Sequence, residues 1–357
     1  MKKSLLALSI LGAFAGVAQA QTNVTMYGVA DAGLVRLDNG LAKISKLDSG
    51  VFSGSRLGFR GTEDLGGGLQ ALFTLETGIN IDAGGFTQSN TAFGRQAFVG
   101  LGGNFGTVKL GRQETFSFFS QVAVDPFVIG LAAPSYDFFG GTLRTNNTIK
   151  YETMNYSGFT AGVAHSFGEQ VFAGAPSTES NGADNSVSLQ YNNGPIFVET
   201  FYEQSKAKLA VPAINVLNPA LNSGNRTKVF NIGGTYDFGV AKAHLMFDRV
   251  RNDASGAHGL NYRDALIGAS IPFGASTVLV DYTKRTDKFG SSDAKRYALG
   301  YTYALSKRTT LYTSYSRTTN DSNVSLGNAD FQAIDSNGNV VNGQSYKNFD
   351  VGVRHTF

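Results

Sequence analysis

The stretch SRLGFRGTEDLGGGLQALFTLETG, residues 55–78, decides how the chain is read. Arg56 and Arg60 share one parity while Leu57 and Phe59 share the other, so an extended backbone here has one basic and one apolar face. Glu63-Asp64-Leu65-Gly66 makes a tight turn, and a second alternating run follows. The pattern spreads in both directions. VTMYGVADAGLVR (24–36) alternates, and AFGRQAFVGLGGNFGTVKLGR (92–112) is another hairpin, turning at Gly102, Gly103 and Asn104. RTNNTIKY (144–151) sets Arg144, Asn146, Thr148 and Lys150 against Ile149 and Tyr151. Similar segments continue to SYKNFDVGVRHTF (345–357), where Phe349, Val351, Val353, His355 and Phe357 share a side, giving about sixteen strands.

The connections alternate in length. Short turns are expected near 64, 104, 156, 193, 239, 274 and 306, and longer polar loops near 44, 86, 176, 215, 256, 290 and 331. This is the up-and-down arithmetic of a transmembrane antiparallel β-barrel, with short turns at one mouth and loops at the other. An apolar face with no helix to cover it meets lipid, and a barrel of this size keeps a water-filled lumen.

Residues 1–20, MKKSLLALSILGAFAGVAQA, read as a cleaved secretory signal: two lysines, an apolar run too short to span, and a small-x-small ending. That leaves 21–357 as one barrel domain. Losing Lys2 and Lys3 takes the formal charge from +3 to +1, which argues against a nucleic-acid partner. Cysteine is absent, excluding thiol chemistry and cysteine metal sites. Gly 44, Phe 27 and Tyr 15 in 357 residues is unlike a soluble α/β enzyme. Tyr151, Tyr191, Tyr236, Phe238, Phe273, Tyr303 and Phe357 sit near strand ends, as interfacial girdles require. The histidines, His165, His244, His258 and His355, lie on separate segments and form no set with a nucleophile, so neither catalysis nor a metal or other cofactor is expected.

One connection stands apart. QETFSFFSQVAVDPFVIGLAAPSYDFFGGTL (113–143) is far longer than an ordinary loop and too apolar to lie in water, so it folds inward. It carries Glu114, Asp125 and Asp137 and no Lys or Arg. Arg56, Arg60, Arg95, Arg144 and Lys150 lie on the flanking strands, which makes a transverse field across a constriction with a basic wall and an acidic loop. A surplus of cations favours anions.

VTMYGVADAGL, SRLGFRGTEDLGGGLQALFTLETG, RQAFVGLGGNFGTVKLGRQ and the terminal VGVRHTF together resemble trimeric general diffusion porins of Gram-negative outer membranes, of the β-proteobacterial type, along essentially the whole chain. The resemblance implies a homotrimer passing small hydrophilic solutes and anions, embedded in outer-membrane lipid, whose third extracellular loop narrows the barrel. It also implies an arginine cluster at Arg56, Arg95 and Arg144, and a final Phe, here Phe357, recognised by the barrel-assembly machinery. Two rival readings are a solute-specific channel with a stacking track of Phe116, Phe118, Phe119 and Tyr136, and a structural or adhesive barrel with a plugged pore.

Overall fold

The computed structural model describes residues 23–88, 91–168, 182–206, 226–253, 261–288, 292–328, 331–336 and 338–357. The expected signal segment and the loop centres near 176, 215, 256 and 290 lie outside them.

One half of the wall runs β1 (Asn23–Asp38), β2 (Lys43–Ser49), β3 (Arg56–Gly66), β4 (Leu69–Gly78), β5 (Gln96–Gly103), β6 (Gly106–Glu114), β7 (Arg144–Glu152), β8 (Phe159–Ser166) and β9 (Asp184–Asn193). The other half runs β10 (Ile196–Lys206), β11 (Arg226–Asp237), β12 (Lys242–Asn252), β13 (Asn261–Phe273), β14 (Ser276–Asp287), β15 (Ala294–Ala304), β16 (Thr309–Asn320) and β17 (Tyr346–Thr356). From β3 onward each strand pairs antiparallel with the next, and β17 pairs back onto β1, so the sheet closes. β1 also pairs with β2 along Ala32–Asp38 and with β3 along Asn23–Val29, so these two segments occupy a single position in the wall. The result is a sixteen-position antiparallel barrel with one strand broken at residues 50–55.

Asp31 organises that break. It is fully buried on β1, and its carboxylate accepts from Phe52 N, from Ser53 N at 2.9 Å and from Tyr312 Oη at 2.8 Å. Ser55 Oγ donates to the Asp31 carbonyl at 2.8 Å and accepts from its N–H at 3.0 Å. The departing chain is thereby held inside the wall rather than continuing the ladder.

The longer loop expected near 44 is instead a tight turn at 39–42. Asn39 Oδ1 accepts from Leu41 N at 3.0 Å and Ala42 N at 2.7 Å, and Gly40 takes φ +84°. The turn expected at Glu63-Asp64-Leu65-Gly66 falls later, at Gly67-Gly68, because β3 runs on to Gly66 and two left-handed glycines make the reversal. The short turns expected near 104, 156, 193, 239, 274 and 306 occur, several with a left-handed glycine such as Gly194 or Gly274.

Alternate residues point outward, and Leu34, Val99, Leu110, Val163, Leu245 and Leu299 are each exposed by 48% or more. So much exposed apolar surface is intelligible only against lipid. Aromatic pairs sit at the short-turn end: Phe159 with Tyr191 and Tyr236 with Phe238, ring centroids 4.6 Å apart in both cases.

The seam is sealed by the last residue. Gly28 N donates to Phe357 O at 3.0 Å and Phe357 N to Gly28 O at 3.1 Å. A Cβ at Gly28 would lie 2.3 Å from Phe357 Cζ, so glycine leaves the space in which the terminal ring lies. Gly28→Leu should therefore cost about 1–3 kcal/mol by overpacking. The check is the temperature at which the folded barrel unfolds on semi-native gels; no change would show that the ring does not pack there.

Candidate functional site

The long loop leaves β6 and enters the lumen. Thr115 caps helix α1 (Phe116–Val124), its Oγ1 accepting from Phe118 N at 3.1 Å. The chain then follows the inner wall through a 3-10 turn at Ser135–Asp137 and returns to β7. Three apolar clusters pack it there. Phe116 meets Phe201, Val229 and Val250; Val124, Phe138 and Phe139 meet Met246 and Leu266; Phe127 and Leu131 meet Leu279 and Tyr312. Inward-facing apolar residues on these strands are therefore seats for the loop. Gly162 belongs to the same fit, since a Cβ there would lie 2.4 Å from Phe116 Cζ.

Polar anchors complete the attachment. Glu203 Oε1 accepts from Thr142 N and Asp248 Oδ2 from Gly140 N, at 2.8 and 2.7 Å. Ser120 Oγ donates to Asn231 Oδ1 at 3.1 Å, His244 Nδ1 lies 2.8 Å from Val124 O, and Ser314 Oγ accepts from Ala132 N at 2.9 Å. Arg296 Nη1 donates to Pro134 O at 2.8 Å and lies 3.4 Å from Asp137 Oδ2, while Arg285 donates to the Phe138 carbonyl.

Asp125 holds the loop to itself. Its carboxylate accepts from Phe127 N, Ile129 N and Ser135 N at 2.8, 3.1 and 2.8 Å. Around it Val128, Ile129 and Leu131 adopt φ of 53°, 52° and 56°. Left-handed backbone costs such residues about 1–2 kcal/mol each, so the turn needs this acceptor. Burial pushes the Asp125 carboxyl above its ordinary range, against the opposing pull of Arg296 and the N–H donors.

Across the lumen, three arginines and two carboxylates form a chain. Arg56 Nε lies 3.8 Å from Glu76 Oε2 and Arg95 Nε 2.5 Å from Glu76 Oε1. Arg95 Nη2 and Arg144 Nη2 lie 3.6 and 2.9 Å from Glu114 Oε1. Tyr27 Oη donates to Glu76 Oε2 at 2.8 Å, and the Arg144 guanidinium lies 4.9 Å from the Phe118 ring centroid. Each guanidinium is thus fixed by a carboxylate and by its surroundings. Arg60 stacks over Tyr27 and Arg354 over Phe52, at 5.1 and 5.2 Å. No described carboxylate lies within 4.0 Å of either.

The sequence-derived residues thus separate into groups. Arg56, Arg95 and Arg144 come together through Glu76 and Glu114, and Glu114 lies among the cations rather than facing them from the loop. Asp125 and Asp137 are turned to the loop's own amides and to Arg296. Lys150 is only 2% exposed, with its Nζ 4.2 and 4.5 Å from the ring centroids of Phe116 and Phe119. It supports the helix. Phe116 and Phe118 are likewise buried, which leaves no continuous stacking track.

Strict alternation fails at two places in this site. Odd positions of β5, Val99 and Leu101, face lipid, yet Arg95 precedes the strand and reaches inward to Glu76. On β7 a register shift at Asn147, φ +52°, breaks the shared face expected for Arg144, Asn146, Thr148 and Lys150. Thr148 and Lys150 are buried, whereas Asn146 is exposed and bonded to Arg112 at 2.5 Å. Glu76 and Arg354 were not singled out from sequence. Glu76 was accessible through the hairpin register, which places it opposite Gly58 between Arg56 and Arg60.

A family model described as Gram-negative porin matches residues 7–323. Outer membrane porin protein 32 of Delftia acidovorans is 34% identical, with all of both chains covered. An outer membrane porin protein of Bordetella pertussis is also 34% identical, over 87% of this chain and 93% of its own. The solved anion-selective porin from Comamonas acidovorans is similar with a TM-score of 0.78 and 30% identity, covering 94% of this chain and 100% of that one.

Asp125→Ala should loosen the loop, because three amides lose their acceptor. Hydrogen exchange at Phe127, Ile129 and Ser135 should accelerate about tenfold or more, with noisier open-channel current. Unchanged exchange would show that the wall anchors alone hold the turn.

Proposed function

The chain belongs to the Gram-negative porin family, and from that premise we propose that its outer-membrane channel prefers anions, with Arg56, Arg95 and Arg144 as the fixed charges that set the preference. The observation that carries this reading is the charge balance at the narrowing. Five guanidiniums, Arg56, Arg60, Arg95, Arg144 and Arg354, stand against three carboxylates, Glu76, Glu114 and Asp31, the last beside Arg354 and engaged by the Phe52 and Ser53 amides and by Tyr312. The loop's other acids, Asp125 and Asp137, are engaged in holding it and add little to an opposing wall. A hydrated anion crossing here exchanges part of its water shell for preorganised guanidinium donors, while a cation meets like charge in a low-dielectric throat. The anion selectivity of the similar porin from Comamonas acidovorans supports the same reading.

Transport in this reading is passive diffusion of small hydrophilic solutes, with no chemical step. The working unit is a homotrimer, made after export and removal of residues 1–20, and Phe357 is the terminal signal for barrel assembly. Segment 113–143 is the constriction loop, with its acids holding it in place.

In a planar bilayer under a salt gradient, the wild-type reversal potential should take the sign of an anion-preferring pore. Replacing Arg56, Arg95 and Arg144 together by Gln should lower the anion-to-cation permeability ratio by roughly twofold or more, and Glu76→Gln should raise it. A cation-preferring wild type, or a triple variant with the wild-type reversal potential, would refute the assignment.

A further inference from the structure

The long loop does not fill the whole space beside the inner wall. Between its segment 129–137 and the inward faces of β1, β2 and β17 lies a cavity of about 400 Å³, room for one small molecule. Val35 on β1 lies opposite Asp350 on β17, and Asp31 opposite Arg354. The Val35–Asp350 end of the cavity is therefore on the long-loop side of Arg354, roughly 13 Å further along the strand. A solute entering from that mouth passes it before meeting the arginine chain.

The charge of this cavity is opposite to that of the constriction. Asp48, Asp137 and Asp350 line it, with no Lys or Arg among the described lining residues. Asp137 is met by Arg296, and Asp48 by Lys46 at 2.8 Å. Asp350 is different. It is 2% exposed, its Oδ2 accepts from Ser314 Oγ at 2.7 Å, and its Oδ1 meets no donor among the described residues. On the same face of β17, Asn348 is 5% exposed; its Nδ2 donates to Ala132 O at 3.4 Å, while its Oδ1 is likewise unmet. Neighbouring buried acceptors without donors are costly, and the soft terminal dihedral of both side chains lets the two oxygens turn to one ligand.

Carbon makes up much of the remaining lining, from Val35 and Leu37 on β1 and Leu131 and Tyr136 on the loop, with the hydroxyls of Ser49 and Thr87 among them. Asp48 and Tyr136 keep part of their surface exposed, so the cavity is open to the lumen. An ammonium has three N–H donors and no acceptor, which matches the oxygens of Asp350 and Asn348 with Asp48 beside them. A pyranose ring adds a face of C–H groups for the apolar lining and hydroxyls for Ser49 and Thr87. A neutral sugar leaves the Asp350 charge unmet, and an anion is repelled by it.

We infer that this cavity docks a protonated amino sugar, its ammonium held by Asp350 and Asn348 and its ring lying against Val35, Leu131 and Tyr136. Occupancy places a bulky cation beside the conduction path, so the current falls while the sugar is bound. The inference rests on the water-filled lumen proposed above but not on its anion preference, which the reversal potential reads separately.

The test is single-channel current through the full chain in a planar bilayer at low salt, titrated from both sides with protonated glucosamine. Glucosamine should cause saturable interruptions; N-acetylglucosamine and methylammonium at the same concentration should cause few. D350N should weaken glucosamine binding by about tenfold or more, and V35F, which fills the cavity from the wall, several-fold. Migration as a folded barrel on semi-native gels confirms that both variants fold. Absence of saturable interruption overturns the proposal. Equal interruption by N-acetylglucosamine overturns the role of the ammonium, and equal interruption by methylammonium that of the ring. Undiminished binding by D350N or V35F overturns the cavity as the site. A cation-preferring reversal potential with the glucosamine effect intact would sink the anion reading and leave this one standing.

Discussion

A backbone amide in hydrocarbon has no water to fall back on, and that requirement governs the whole molecule. It explains why β17 must find β1, why the final residue exchanges both of its main-chain bonds with Gly28, and why a strand that leaves the ladder at residues 50–55 is caught by the Asp31 carboxylate. The same accounting extends into the lumen. The inward loop has little regular structure beyond one helix and a 3-10 turn, so wall carboxylates, wall arginines and its own Asp125 take up its orphan groups.

Satisfying the loop has an electrostatic by-product. A loop with three acids and no base looks, as composition, like a negative wall. In place, Asp125 is committed to amides, Asp137 lies against Arg296, and Glu114 sits within the arginine chain. The loop's carboxylates are used as structural acceptors, and the arginine chain is held in position by Glu76 and Glu114. Charge counting along the sequence and charge counting along the pore therefore give different answers.

Much of the barrel is legible in the sequence because a strand between lipid and water writes its two environments into alternate residues, and each short turn needs its glycines where they occur. What is not legible is whatever departs from that period. Arg95 sits one residue outside its strand, and the Asn147 irregularity turns Asn146 out of the row of Arg144, Thr148 and Lys150, so strict parity misassigns Arg95 and Asn146. Lys150 reads as a lumen charge but is enclosed by Phe116 and Phe119, two rings that only the seated loop brings near. Arg354 was within reach, being of opposite parity to Val351 and Val353 in the last strand, but the apolar side of that segment dominates its pattern. Asp125 has no local signature, since its partners are amides whose convergence depends on the turn it stabilises.

The broken second wall position has a bearing on how the molecule comes together. Leu131 N donates to Val51 O at 2.5 Å, so the loop touches the interrupted segment. One residue on, Ala132 bonds Ser314 Oγ, and its carbonyl accepts from Ser316 and Asn348, on the final two strands. Two adjacent loop residues thus straddle the join between the first-made and last-made parts of the wall. The loop can complete its attachment only once those ends have met, which makes its seating a report on closure: a barrel that has not yet shut carries an unlatched gate, and a latched gate certifies a finished ring.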